Sequence, residues 1–289
     1  MRRRIAGVVA LVALAAFLMG TRAVSRLVHM SVGQAAAFSS IGEITSVNKF
    51  GRNQDSDTTE DTIWEGSDVG GPIRCFDVIG TTAAALYISS DHQDDAALDV
   101  TVEYLDSDWD VNTITQTLGA VANATATEFV QLGSETILRV NRAFATDTAL
   151  TGNVYIHTDS VDAAAKDGIP DTILTELITV IIAGENQTLQ ACYTVPNDFT
   201  ALVTQFCTSN INTAANASVA FRLRKSVAGA ASRVQELLEI GEGLYQCTTH
   251  DPPIAFAEKT DIELTAVASA NNASVSGTFD LILMPTSSR

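Results

Sequence analysis

The chain has 289 residues, 46% of them hydrophobic and 18% charged, with a formal net charge of −17. That composition excludes a disordered chain, because the apolar material is ample for a core, and the length predicts two domains at roughly 100–200 residues each. The charged residues before Met30 are all arginines (Arg2, Arg3, Arg4, Arg22 and Arg26), so the rest holds 12 of the 17 basic residues against 34 acidic ones. A body of that charge argues against direct nucleic-acid binding, which needs a concentrated Lys/Arg surface.

Arg2–Arg4 precede an apolar run, Ile5–Gly20. This is the layout of a secretory signal or a membrane anchor, although the run is shorter than the roughly 20 residues that cross a bilayer. Thr21-Arg22-Ala23 is the candidate cleavage site. A third reading takes Met30 as the true start, and the three stay open. Residues 30–69 read as an extended docking arm, since Gly51–Asp61 shows no period of 2 or 3.6 and is rich in turn formers.

From Gly70 the chain becomes a succession of alternating runs: Ala85–Ser90, Leu98–Leu105, Val111–Leu118, Glu128–Leu132, Ile137–Ala145 and Asn153–Thr158. In Leu98–Leu105 the residues Leu98, Val100, Val102 and Tyr104 share one face, with Asp99, Thr101 and Glu103 on the other. These runs predict a first β-sandwich over 70–159, and Gly168 and Pro170 mark a linker over 160–170.

Eight longer runs follow: Leu177–Ala183, Gln187–Pro196, Ala201–Ser209, Ser218–Val227, Val234–Ile240, Leu244–Thr249, Thr260–Ser269 and Ala273–Met284. They predict a second, jelly-roll-like sandwich over 171–289. Val234–Ile240 would also suit two turns of helix. The fold class expected is therefore all-β, with two antiparallel sandwiches and an extended N-terminal arm.

Cys75, Cys192, Cys207 and Cys247 are widely spaced, without Cys-x-x-Cys pairs or His at ligand spacing, which excludes a zinc site and a disulfide-dense scaffold. The last three lie in apolar strand-like runs and read as buried thiols.

Two stretches, Gly42-Glu-Ile-Thr-Ser-Val-Asn-Lys-Phe-Gly-Arg-Asn53 and Ile181-Ile-Ala-Gly-Glu-Asn-Gln-Thr-Leu-Gln-Ala-Cys-Tyr-Thr-Val-Pro196, resemble structural proteins of tailed bacteriophages. So do Glu258–Ala268 and Phe279–Leu283. The likeness covers most of 42–284 and is one of style, without a catalytic signature. It implies a head-decoration, head-fibre or tail-associated protein with no enzymatic role, and it assigns no functional residues.

Candidate chemistry is sparse. Asp106, Asp108 and Asp110 stand at i, i+2 and i+4 in a predicted hairpin turn, a spacing suited to a hard cation. An EF-hand loop would need Gly and Glu where Val111 and Thr117 stand, so the match fails. Asp55, Asp57, Glu60 and Asp61, and the loop Asp91–Asp95, read as solvated. His29, His92, His157 and His250 are scattered singly, with no obvious Ser or Cys partner. There is no nucleophile elbow, phosphate loop or dinucleotide fingerprint, so no cofactor is expected. Trp64 and Trp109 lie in polar loops, either as a sugar- or protein-contact surface or as covers for a sandwich end. Asn123, Asn186, Asn216 and Asn272 fit the glycosylation pattern, as frequent Asn and Thr would produce by chance.

The expectation is a non-enzymatic virion protein, a homo-oligomer such as a trimer, held to capsid or tail subunits by its arm. The rival is a secreted or membrane-anchored sandwich that binds carbohydrate or protein.

Overall fold

The computed structural model describes residues 44–123, 125–146, 148–162, 166–213 and 217–286. The chain divides after Ser46; of the first unit only residues 44–46 are described, and the second, from Val47 onward, is the folded body. The expectations for residues 1–29, among them the apolar run, lie outside the described residues, within which no helix is long and apolar enough to cross a membrane.

The body is almost entirely β-structure. Its strands are β1 (Thr45–Ser56), β2 (Asp61–Thr62), β3 (Tyr87–Ser90), β4 (Asp99–Asp106), β5 (Val111–Thr117), β6 (Val121–Asn123), β7 (Ala126–Thr127), β8 (Val130–Gln131), β9 (Ile137–Ala145), β10 (Val154–His157), β11 (Leu177–Ile181), β12 (Cys192–Thr194), β13 (Phe199–Thr213), β14 (Val219–Val227), β15 (Arg233–Ile240), β16 (Leu244–Phe256), β17 (Thr260–Ala268) and β18 (Ala273–Pro285). Among the described residues two α-helical turns, α1 (Gly66–Gly70) and α2 (Ile173–Glu176), and a 3-10 turn at Gln93–Asp95 complete it.

One sandwich is formed by the sheet β1-β18-β13-β16 against the sheet β12-β17-β14-β15, with β2 also paired to β17. Period-2 alternation builds it: Val219, Phe221 and Leu223 point into the core while Arg222 and Arg224 point out. Phe206, Phe221, Phe256 and Phe279 are buried together at its centre.

β2 and β12 occupy one strand position. Thr62 faces Thr265 and Cys192 faces Glu263. Between them Ile63 N donates to Leu264 O at 2.9 Å, Leu264 N to Ala191 O at 2.9 Å, and Ala191 N to Ile63 O at 3.0 Å. Counted that way, the strand orders become 1-8-3-6 and 2-7-4-5, a double-sheet jelly roll whose second strand is broken after Ile63 and resumes at Ala191.

Residues 64–190 fill the break with the second sandwich. Its sheets are β11-β10-β3-β8 and β5-β4-β9, with a small β6-β7 ribbon beside them. Leu86, Ile88, Val100, Val102, Ile137 and Ile156 are buried between the sheets. On the outer face of the first sheet Trp64, Ile73, Tyr155, Leu177 and Val180 form a smaller core, to which Val69 of α1 and Ile173 of α2 add.

All-β sandwich architecture is what the alternating runs predicted, but the division of the chain differs. β11 belongs to the inserted sandwich, so the break at 160–170 does not separate the two bodies. From Val47 on, the expected docking arm is integral: β1 and β2 are strands of the jelly roll and are not free for strand addition. Gly51, read as a turn former, sits in mid-strand, where a Cβ would lie 1.8 Å from Ile63 O. Val234–Ile240, ambiguous in sequence, is the strand β15.

Candidate functional site

The concentration of buried polar chemistry lies where the inserted sandwich meets the jelly roll. Arg139 on β9 donates from Nε and Nη2 to Asp261 on β17 at 3.0 and 2.9 Å, with both side chains buried. Its Nη1 donates to the carbonyls of Ile79, Gly80 and Leu138, and its guanidinium lies over the rings of Phe76 and Trp109. Asp261 also accepts from Thr194 Oγ1 at 2.6 Å. A planar donor fork facing a carboxylate is the strong form of such a contact, and the satisfied donors offset the desolvation that burial costs.

Around this pair the seam continues. Gln190 Nε2 donates to Val140 O and Asn141 O at 3.1 Å, and its Oε1 accepts from Thr179 Oγ1 at 2.6 Å. Thr194 N donates to Asn141 Oδ1 at 3.0 Å, and Lys49 Nζ donates to Asn141 O. Burial, reinforced by the nearby Arg142, brings the Lys49 amine down to about 7. Arg74 pairs with Glu263.

One of the two disulfides lies at the same seam. Cys75 is disulfide-bonded to Cys192, 117 positions away, and Cys207 to Cys247 across β13 and β16. Buried free thiols were expected instead. The pairing depends on strand register, since Cys207 and Cys247 are direct cross-strand partners, and register over such separations has no local spacing signal.

A cleft of about 320 Å³ opens over the seam, lined by Arg74, Arg139, Arg224 and Lys225 together with Asp77, Asp261 and Glu263. Three of the four cations are held in ion pairs, Arg74–Glu263, Arg139–Asp261 and Arg224–Glu60. Neither His nor Cys lines it, and its titratable groups are these carboxylates and cations.

Among the described residues no three His, Cys, Asp or Glu side chains converge as metal ligands. Asp106, Asp108 and Asp110 do not: Asp106 Oδ1 accepts from the backbone N of Asp108 and Asp110, and Oδ2 from Asn112 Nδ2, so this carboxylate organises its own turn. The acidic loops expected to be solvated are also partly internal. Asp95 is buried, accepting from Thr151 N, Gly152 N and Ser90 Oγ. Asp61 is buried with Asn53 and Ser56, and burial lifts its carboxyl to about 7. Glu65 is likewise lifted to about 7 by burial, although Arg52 pairs with it at 2.6 Å. Glu60 joins Arg222 and Arg224. Trp64 and Trp109 are buried and offer no stacking surface.

The structure joins one pair that the sequence left apart. His157 Nε2 lies 3.1 Å from Ser89 Oγ, which donates to Gly168 O at 2.7 Å. With the Ser89 hydroxyl donating to the Gly168 carbonyl, the contact to His157 is the one made by the tautomer that carries its proton on Nε2. Both are fully buried, and burial lowers the imidazole to about 4. Of the other described histidines, His92 accepts from Asp94 N and His250 lies 3.4 Å from Glu236.

No protein-family model matches the chain, and no curated protein is similar to it in sequence.

Proposed function

We propose that the chain is a non-enzymatic structural component of a tailed-phage particle, a head-decoration or head-fibre protein acting as a homo-oligomer. The observation that carries this reading is the seam: Arg139–Asp261, Gln190, Asn141 and the Cys75–Cys192 disulfide hold two sandwiches together by contacts that satisfy one another. A junction whose buried polar groups satisfy one another supports a role for the two sandwiches in carrying load. Double-sheet jelly rolls recur in capsid proteins, although they also serve lectins and cupins, so the fold supports the reading by analogy alone. Both disulfides suit a protein that works outside the reducing cytosol, as a released particle does.

The disulfides equally favour a second reading, an exported sandwich that binds carbohydrate or protein. Antibody-labelled electron microscopy of intact particles separates the two. Label on heads supports decoration and label on tails a tail part; unlabelled particles beside a labelled cell envelope sink the particle reading.

A further inference from the structure

The sheet β1-β18-β13-β16 turns one face to the jelly-roll core and the other outward. On β18 the outward side chains are Ser274, Ser276, Thr278 and Asp280, each beside a buried neighbour. On β13 Cys207 and Ser209 point outward, alternating with the buried Phe206, Thr208 and Asn210. Pairing aligns them across the sheet: Tyr245 of β16 faces Ser209, and Ser209 faces Ser276. Direct cross-strand partners share a sheet face. On β1, Asn48 Nδ2 donates to Thr278 Oγ1 at 3.0 Å, which puts Asn48 on this face, and Phe50 follows it there two residues on.

A groove of about 340 Å³ crosses this face, with Phe50 and Tyr245 on its two outermost strands and Ser276 and Ser209 between them. Three strand spacings of about 4.8 Å put the backbones of the two aromatic residues roughly 14 Å apart. Phe50 is 41% exposed and Tyr245 79%. Ser209 Oγ and Ser276 Oγ lie 2.7 Å apart, so one hydroxyl donates to the other and the second keeps its proton for a ligand. Thr278 Oγ1 accepts from Asn48, which leaves its own O–H to donate outward.

Charge selects the kind of ligand. Among the described residues that line the groove Arg52 alone is charged, and Glu65 and Glu185 neutralise it at 2.6 and 2.9 Å. A nucleic acid needs uncompensated cations, and a charged peptide needs the opposite charge. The charge complement of this groove is a neutral ligand. The order of side chains narrows it further. A protein contact concentrates apolar anchors at its centre inside a polar rim, whereas here the aromatic rings lie outside and the hydroxyls within. A sugar ring, with apolar C–H faces and hydroxyl edges, matches that order.

We propose that the outer face of β1-β18-β13-β16 binds a neutral oligosaccharide. Phe50 and Tyr245 each stack on a sugar ring, and the hydroxyls of Ser209, Ser276 and Thr278 exchange hydrogen bonds with the rings between. The inference goes beyond the particle reading and does not rest on it, since the same surface serves a particle protein and an exported one alike.

Binding of the full chain to an array of neutral and acidic glycans tests it, with circular dichroism checking the fold of each variant. The wild type binds neutral glycans. Tyr245→Ala and Phe50→Ala each weaken that binding by about tenfold or more, and Tyr245→Phe, which keeps the ring, preserves it. Leu237→Ala, exposed on β15 of the other sheet, leaves it unchanged. Where Phe50→Ala loses its fold, the two Tyr245 variants decide alone. Absence of binding to neutral glycans, binding confined to acidic ones, or binding that survives Tyr245→Ala overturns the proposal. Self-association in sedimentation that Tyr245→Ala abolishes also overturns it, because the face is then a protein contact. A glycan-binding chain absent from particles removes the particle reading alone, and a particle chain that binds no glycan removes this inference alone.

Discussion

Arg139 and Asp261, 122 positions apart, meet as a bidentate pair at 3.0 and 2.9 Å across the junction of the two sandwiches. Removing one partner leaves a buried charge without compensation. Asp261→Ala is expected to cost about 3–5 kcal/mol, whereas Arg139→Met combined with Asp261→Leu costs less than the sum of the single changes. Urea unfolding of the four proteins of that cycle measures the coupling, and additive losses would show that the pair does not act as a unit.

Reduction of the disulfides is expected to loosen the seam. Cys75→Ser with Cys192→Ser should cost about 2–4 kcal/mol, because the cross-link joins distant positions and restricts the unfolded chain. Thermal melts with and without reductant check this, and non-reducing peptide mapping should recover linked fragments containing Cys75 and Cys192. Free thiols at those positions would contradict the pairing.

Gly51 and Gly80 make a controlled comparison. A Cβ at Gly51 would meet Ile63 O at 1.8 Å and Ala191 N at 2.6 Å, whereas at Gly80 nothing lies within 4 Å. Gly51→Ala therefore forces β1 off the broken second strand, with a loss of about 3 kcal/mol or more expected from overpacking against rigid backbone. Gly80→Ala should stay within about 0.5 kcal/mol of the wild type, as open surface changes do. Equal melting temperatures for the two variants would refute the close approach at Gly51.

Asp61 gives the fold a pH dependence. Burial raises its carboxyl from 3.8 to about 7, so the folded state prefers the protonated form. Its contribution to stability is complete below the unfolded value and is lost as pH rises through about 7. Asp61→Asn keeps an acceptor for Asn53 and does not titrate; it should raise the melting temperature relative to wild type at pH 8, and the gain should shrink as the pH falls towards 4. A gain independent of pH would mean that Asp61 stays ionised in the fold.

Much of the fold was legible in local pattern. The alternation in Leu98–Leu105 and Val219–Leu223 identified β4 and β14, because a half-buried sheet face enforces period 2 over a few residues. The broken second strand was not legible: its halves around Ile63 and Ala191 are short, and what unites them is pairing to Leu264 of β17, a long-range contact without a local signature. The same holds for Cys207 opposite Cys247. The seam did leave a trace. Arg139 stands between Leu138 and Val140, and Asp261 and Glu263 alternate with Ile262 and Leu264, so charged residues sit within strands that are apolar on both sides. In such surroundings a charge is tolerated when it is paired.

The particle reading meets its sharpest test in quantitative peptide mass spectrometry of gradient-purified phage particles, with the membrane and secreted fractions of infected cells measured in parallel. This chain is expected in the particle at many copies. Its absence from particles, together with recovery from a membrane or secreted fraction, would contradict the particle reading and leave the exported binding module in its place.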